Sequence, residues 1–139
     1  MNNQKVVIRK IKMEQTWPIR HEVMWPDQPF DFIKLAADAE ATHFGLHINE
    51  ELVSIISLFP QGAKAQFRKF ATLVKDQGKG HGTTLLNHII DYAKAQGFEQ
   101  LWCNARVDKT AYYERFGLYP TGETYHKRGI DFAILSLKL

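Results

Sequence analysis

Apolar positions along the chain switch between two periods. VVIRKI (6–11) reads as a first strand, and THFGLHI (42–48) and LVSIISLF (52–59) flank a polar NEE as a hairpin. LVSIISLF is apolar on both faces, which places it centrally in a sheet. AQFRKFATLV (65–74) predicts a fourth strand. The period then changes. In HGTTLLNHIIDYAKAQG (81–97), Leu85, Leu86, Ile89, Ile90 and Ala93 recur on one face of a helix, and Gly97 supplies its stop. LWCNARV (101–107) is again strand and KTAYYERFG (109–117) a short helix. TGETYHKRGIDFAILSLKL (121–139) is a closing strand pair with KRG (127–129) as a charged hairpin turn. Upstream, WPIRHEVMW (17–25) predicts a helix with Pro18 in its first turn, Thr16 or Trp17 near the cap and Pro26 as terminator. PDQPFDFIKLAADAEA (26–41) holds no sustained period and accommodates at most a short helix.

The element order is therefore β-α-(α)-β-β-β-α-β-α-β-β. The helix between strands four and five requires a parallel pair with a crossover, whereas the hairpins are antiparallel. This predicts an α/β (α+β) domain spanning 1–139, a mixed, mostly antiparallel sheet with helices on both faces. Composition narrows the function. With 139 residues, 45% apolar and 24% charged, the chain has an ordinary globular balance. The net charge of +3 favours acidic ligands but falls well short of a nucleic-acid-binding signature. Cys103 stands alone, which excludes an internal disulfide and a multi-thiolate metal site. No segment is apolar enough for a signal peptide or a membrane span, so the cytoplasm is the expected location and no membrane partner is expected.

DQGKGHGTTLL (76–86) sets three glycines in five positions at the mouth of a helix. Helix N-termini carry unpartnered N–H groups and partial positive charge, and glycines let a ligand approach the bare backbone. Such a loop suits a phosphate or diphosphate; the plainer alternative is a turn that only joins strand to helix. A nucleotide P-loop fails, because Gly78-Lys79 is followed by Gly80 and position 73 is Leu. The dinucleotide pattern fails because position 83 is Thr. Gln77-x-x-Gly80-x-Gly82, after a strand and before an amphipathic helix, resembles the acyl-CoA-binding signature of the GNAT N-acetyltransferase superfamily. AYYERFGL (111–118) resembles that family's Tyr-Glu-Lys-Leu-Gly-Phe segment, at the expected spacing. IRHEVMWPDQP (19–29) and NAR (104–106) are similar to segments of one bacterial subfamily. The sequence departs at Val74, where many relatives place Pro, and in having Gln77 rather than Arg.

The resemblance implies the GNAT acyl-CoA N-acyltransferase fold and acetyl transfer from acetyl-CoA to a primary amine, by direct attack through a tetrahedral intermediate. A small-molecule amine is the expected acceptor, with no metal and no nucleic acid involved. A non-catalytic acyl-CoA-binding sensor is the alternative. The implied donor site comprises the loop Gln77, Gly78, Lys79, Gly80, His81, Gly82 and Thr83, the strand edge Ala71, Thr72, Leu73 and Val74, and Asn104. An N–H near Thr72 or Leu73 is the expected oxyanion donor. Tyr113 is the expected acid for the departing thiolate, since a phenol is protonated at neutral pH; Tyr112 is expected to point into the core. The attacking ammonium needs a base, and Glu22 is the candidate, ahead of Asp131 and His126. Arg20, Trp25 and Arg106 are candidate substrate-binding residues. His43 and His47 lie about 13 Å apart along a strand, and His81 and His88 about 10 Å along a helix, so neither pair chelates a metal by itself. The closing strands offer a surface for a homodimer.

Overall fold

The computed structural model describes residues 4–139. Seven strands, β1 (Val6–Ile11), β2 (Thr42–Ile48), β3 (Glu51–Gln61), β4 (Lys64–Thr72), β5 (Gln100–Arg106), β6 (Tyr119–Lys127) and β7 (Ile130–Lys138), form one sheet in the order β1-β2-β3-β4-β5-β7-β6. Its neighbours pair antiparallel except β4 and β5, which are parallel as the intervening helix demands. The hairpin turns follow from left-handed residues: Asn49 (φ 48°) and Glu50 (φ 73°) turn β2 into β3, and Arg128 (φ 54°) and Gly129 (φ 76°) turn β6 into β7.

Helix α2 (His81–Ala95) buries the predicted Leu85, Leu86, Ile89, Ile90 and Ala93 against the sheet. It ends in a Schellman arrangement in which Gly97 N–H donates to Lys94 O at 3.0 Å and Phe98 N–H to Ala93 O at 3.2 Å. Helix α3 (Thr110–Glu114) ends likewise, with Gly117 N–H donating to Glu114 O and Leu118 N–H to Tyr113 O. Leu118 is fully buried, so the short helix is pinned at its C-terminus and Tyr113 with it. The alternation of β3 places Ile56 in the large core beneath α2 and Ile55 in a smaller cluster with Ile19 and Ala71, below α1 (Met13–Ile19). Helices thus cover both faces.

Helix α1 begins earlier than predicted. Gln15 Oε1 accepts the Lys12 N–H at 2.8 Å, so Lys12 is the cap and Pro18 lies inside the helix, not in its first turn. Two residues after the proline the helix widens into a π-helical turn, Arg20–Met24. Its position is fixed by a buried polar network. Arg20, fully buried, donates to both Asp38 carboxylate oxygens (2.8 and 2.9 Å) and to Ser57 Oγ (3.0 Å). Ser57 Oγ lies 2.7 Å from His43 Nδ1, and His43 Nε2 lies 2.9 Å from Asp38 O. Ser57 Oγ thus bridges the Arg20 guanidinium and the His43 ring, and the Asp38 carbonyl accepts from His43 Nε2.

Candidate active site

The parallel pairing of β4 and β5 stops after three residues, Lys64–Gln66 against Gln100–Trp102, although both strands continue. Beyond that point the sheet opens. In the same stretch β4 carries a bulge: Ile55 faces Ala71 and Ser57 faces Arg68, so two residues, Lys69 and Phe70, stand against Ile56 alone. Lys69 takes φ 57° to make the bend. A cavity lies on either side. Phe70 lines one and Lys69 the other; Val23 of the π-helical turn faces the first, Met24 and Trp25 the second.

The first cavity, about 480 Å³, runs from the glycine loop past the β4 edge to Tyr113. Gly78 (φ 76°) and Gly80 (φ 85°) occupy conformations that a side chain resists. The first bond of α2 is Thr84 N–H to Gly80 O at 3.1 Å. The six consecutive amides from Gly78 to Thr83 have no acceptor among the described residues. Gly82 brings α2 close to β4: a Cβ there would stand 3.1 Å from the Phe70 ring. His81 is buried against the same cavity, its Nε2 without a partner among the described residues. Lys79 lies 3.8 Å from buried Asp76, and Lys109, absent from the predicted set, adds a cation to the lining. The run of unengaged amides, with Lys109 and His81 beside it, fits a diphosphate, while the Asp76 carboxylate in the same lining lies against Lys75 and Lys79.

The strand edge is more selective than predicted. Leu73 N–H donates to Val53 O at 2.9 Å, which removes Leu73 as an oxyanion donor. That bond makes Ser54 and Thr72 a non-hydrogen-bonded pair, so the Thr72 amide points away from β3 into the opening. Gln77 is a strap: its Nε2 donates to Thr72 O at 2.9 Å, tying the loop to the strand. Tyr112 packs against the core as expected and also lines the cavity, its hydroxyl 3.1 Å from Thr83 Oγ1. Tyr113 packs against the Phe67 ring (5.9 Å between centroids) and lines the cavity with its hydroxyl free of hydrogen bonds to described residues. Burial first, then the neighbouring Cys103 and Tyr112, pushes its phenol above the ordinary range. Burial likewise pushes the Cys103 thiol up to about 12.

The second cavity, about 400 Å³, is ringed by five cations: Arg68, Lys69, Arg106, Lys127 and Arg128. None forms an ion pair among the described residues. Arg128 stacks on Trp25 (5.0 Å) and Phe32 (5.2 Å), turning the charged KRG hairpin into a wall of the cavity. Trp25 and Arg106 both line this cavity, and so does Asn104, which does not line the first. Arg20 does not reach either cavity; its guanidinium is consumed by Asp38 and Ser57. Glu22 is exposed on the helix and lines neither. His126 and Asp131 pair with each other in solvent at 2.8 Å.

The sequence profile of the Acetyltransferase (GNAT) family matches residues 9–118. The chain belongs to that family. The N-acetyltransferase YitI of Bacillus subtilis is 31% identical over 140 residues, covering 94% of each chain. Among solved structures, an N-acetyltransferase from Lactobacillus plantarum superposes with TM-score 0.84 at 19% identity over 99% of both chains. A GNAT family acetyltransferase from Elizabethkingia anophelis, solved with acetyl-CoA bound, gives 0.76 at 18% identity over 96% of this chain and 98% of the other. The sheet that opens between β4 and β5 is the GNAT acyl-CoA N-acyltransferase fold, and the protein is an acetyltransferase. No helix of the described residues is long and apolar enough to cross a membrane.

Proposed function

We propose that the protein transfers an acetyl group from acetyl-CoA to the primary amine of a small molecule bearing a carboxylate or phosphate group. The observation that carries the reading is the run of six unengaged amides opening into the same cavity as Tyr113. Those amides would hold the diphosphate of the donor, with Lys109 and His81 beside them. The Thr72 amide is the oxyanion donor at the thioester carbonyl, where such a group contributes about 3 kcal/mol. Tyr113 donates its proton as the sulfur departs. An acceptor in the second cavity would be held by its anionic group against Arg68, Arg106 and Arg128, and by its apolar part against Trp25 and Phe132.

Free-thiol release from acetyl-CoA, measured across a panel of amines, tests this. A primary amine with a carboxylate is expected to turn over at lower KM than its carboxamide. Arg106→Gln should raise KM for the carboxylate about 10–100-fold, the loss of one charged hydrogen bond, and leave the carboxamide nearly unchanged. Equal use of neutral or polycationic amines by the unaltered protein would contradict the acceptor class.

A further inference from the structure

We infer that Lys69 is the general base of the reaction, taking the proton that the acceptor's ammonium must lose before it can attack. The inference rests on the acyl-transfer reading above. The second cavity offers few alternatives. Its arginines hold their protons throughout the working pH range, Asn104 and the Trp and Phe rings have no basic lone pair, and burial pushes the Tyr125 phenol above its ordinary value. Asp76, the carboxylate lining the first cavity, lies at the glycine loop between Lys75 and Lys79. Glu22 lies outside both cavities. Lys127 is exposed on β6, outside the bulge between the two cavities. Lys69 is half-buried at the bulge, in the residue pair that separates the two cavities. It holds a positive φ that a glycine would take without strain.

The surroundings set its proton affinity. Burial, then Arg68 beside it, Arg20 behind the strand and Lys127 from β6 lower its ammonium to about 8, with Asp38 opposing. Arg106 from β5 and Arg128 from the β6–β7 turn face the same space, as does the Tyr125 hydroxyl. Below that value Lys69 is charged and cannot accept; above it the neutral amine prevails, so the rate should climb through about pH 8. The protons balance. The acceptor's ammonium gives one proton to Lys69, which releases it to solvent. The neutral nitrogen then bonds to the acetyl carbon, the carbon–sulfur bond breaks, and sulfur leaves with a proton from Tyr113. The second nitrogen proton restores the phenol.

Two measurements test this. Trace labelling of the whole protein with acetic anhydride from pH 6 to 11, read by peptide mass spectrometry, is expected to show Lys69 half-reactive near pH 8 and exposed lysines near the ordinary lysine value. Lys69→Arg keeps the charge, and Lys69→Gly removes the backbone strain; both should fold. Both are expected to lose roughly a hundredfold in kcat at pH 7.5, with the limb near pH 8 gone. Lys69→Arg should hold the acceptor KM close to that of the unaltered protein. Unchanged kcat and pH profile in Lys69→Arg, or labelling of Lys69 in step with exposed lysines, would overturn the base role alone. Absence of turnover with every amine, despite donor binding and labelling near pH 8, would overturn the acyl-transfer reading and the base role together.

Discussion

Tyr113→Phe is expected to lower kcat by about a hundredfold or more while the affinity for coenzyme A changes by less than about twofold. The ring remains, so its packing on Phe67 and the pinned end of α3 are kept; only the hydroxyl facing the cavity is lost. A thiol in water ionises near 8.5 and a phenol near 10, and burial raises this phenol further. That shift makes Tyr113 a weaker acid, but desolvation in the cavity also disfavours a free thiolate, so the departing sulfur takes a proton more readily than in water. Proton donation within the cavity is therefore closer to balanced than solution values suggest. Because the phenol stays protonated past its ordinary value, loss of activity on raising the pH to about 10 should not come from Tyr113. Tyr112→Phe is the control. It removes the 3.1 Å contact with Thr83 and should cost far less. Steady-state kinetics with a primary amine and acetyl-CoA separate the two, and equal kcat in Tyr113→Phe would remove the acid from the scheme.

Asp38→Ala should be the most destabilising of the simple substitutions, by about 3–5 kcal/mol, because it leaves the Arg20 guanidinium buried without a counter-charge. For a chain of this size that is a loss on the order of 10 °C in Tm. Arg20→Met with Asp38→Leu should recover much of the loss, since both charges then leave the interior. Neither residue lines a cavity, so any loss of activity per folded molecule in the double variant reports a shift of the π-helical turn that they position. The same pair sets an acid limit. Burial raises the Asp38 carboxyl, but hydrogen bonds from Arg20, the Leu35 amide and Trp17, with the Arg20 charge, outweigh it and hold the group below the ordinary carboxylate value. Between the folded and unfolded values the unfolded chain binds more protons. The stabilisation is therefore present above about pH 4 and lost as pH falls through the lower, folded value. Thermal unfolding followed from pH 7 to pH 3 should show the decline in the unaltered protein and a flatter profile in the double variant.

Much of the donor side was legible because it is local. The glycine loop, the amphipathic face of α2 and the Tyr113 segment each lie within about fifteen consecutive residues, where period and backbone freedom leave a direct trace. The acceptor side is not local. Arg20 reads like any arginine on a helix; its partner Asp38 sits eighteen residues on, in a segment without period, and only the fold reveals that the charge is spent. The Lys69 bulge leaves no mark in FRKFAT, since it depends on how β4 registers with β3. Arg128 looks like an ordinary turn residue until the hairpin brings it over Trp25 and Phe32. Pro18 usually marks a first turn, yet α1 starts at Met13, because the π-helical turn beyond the proline absorbs the disruption.

On the proposed reading, the amides of residues 78–83 are donors awaiting a diphosphate. Amide NMR of the protein titrated with coenzyme A tests this directly. Saturable downfield shifts are expected, largest at Gly78–Thr83 and smaller at Thr72 and Tyr113, with loss of the response in Gly82→Val. Binding without shifts in that run, or no binding at millimolar coenzyme A, would contradict that reading.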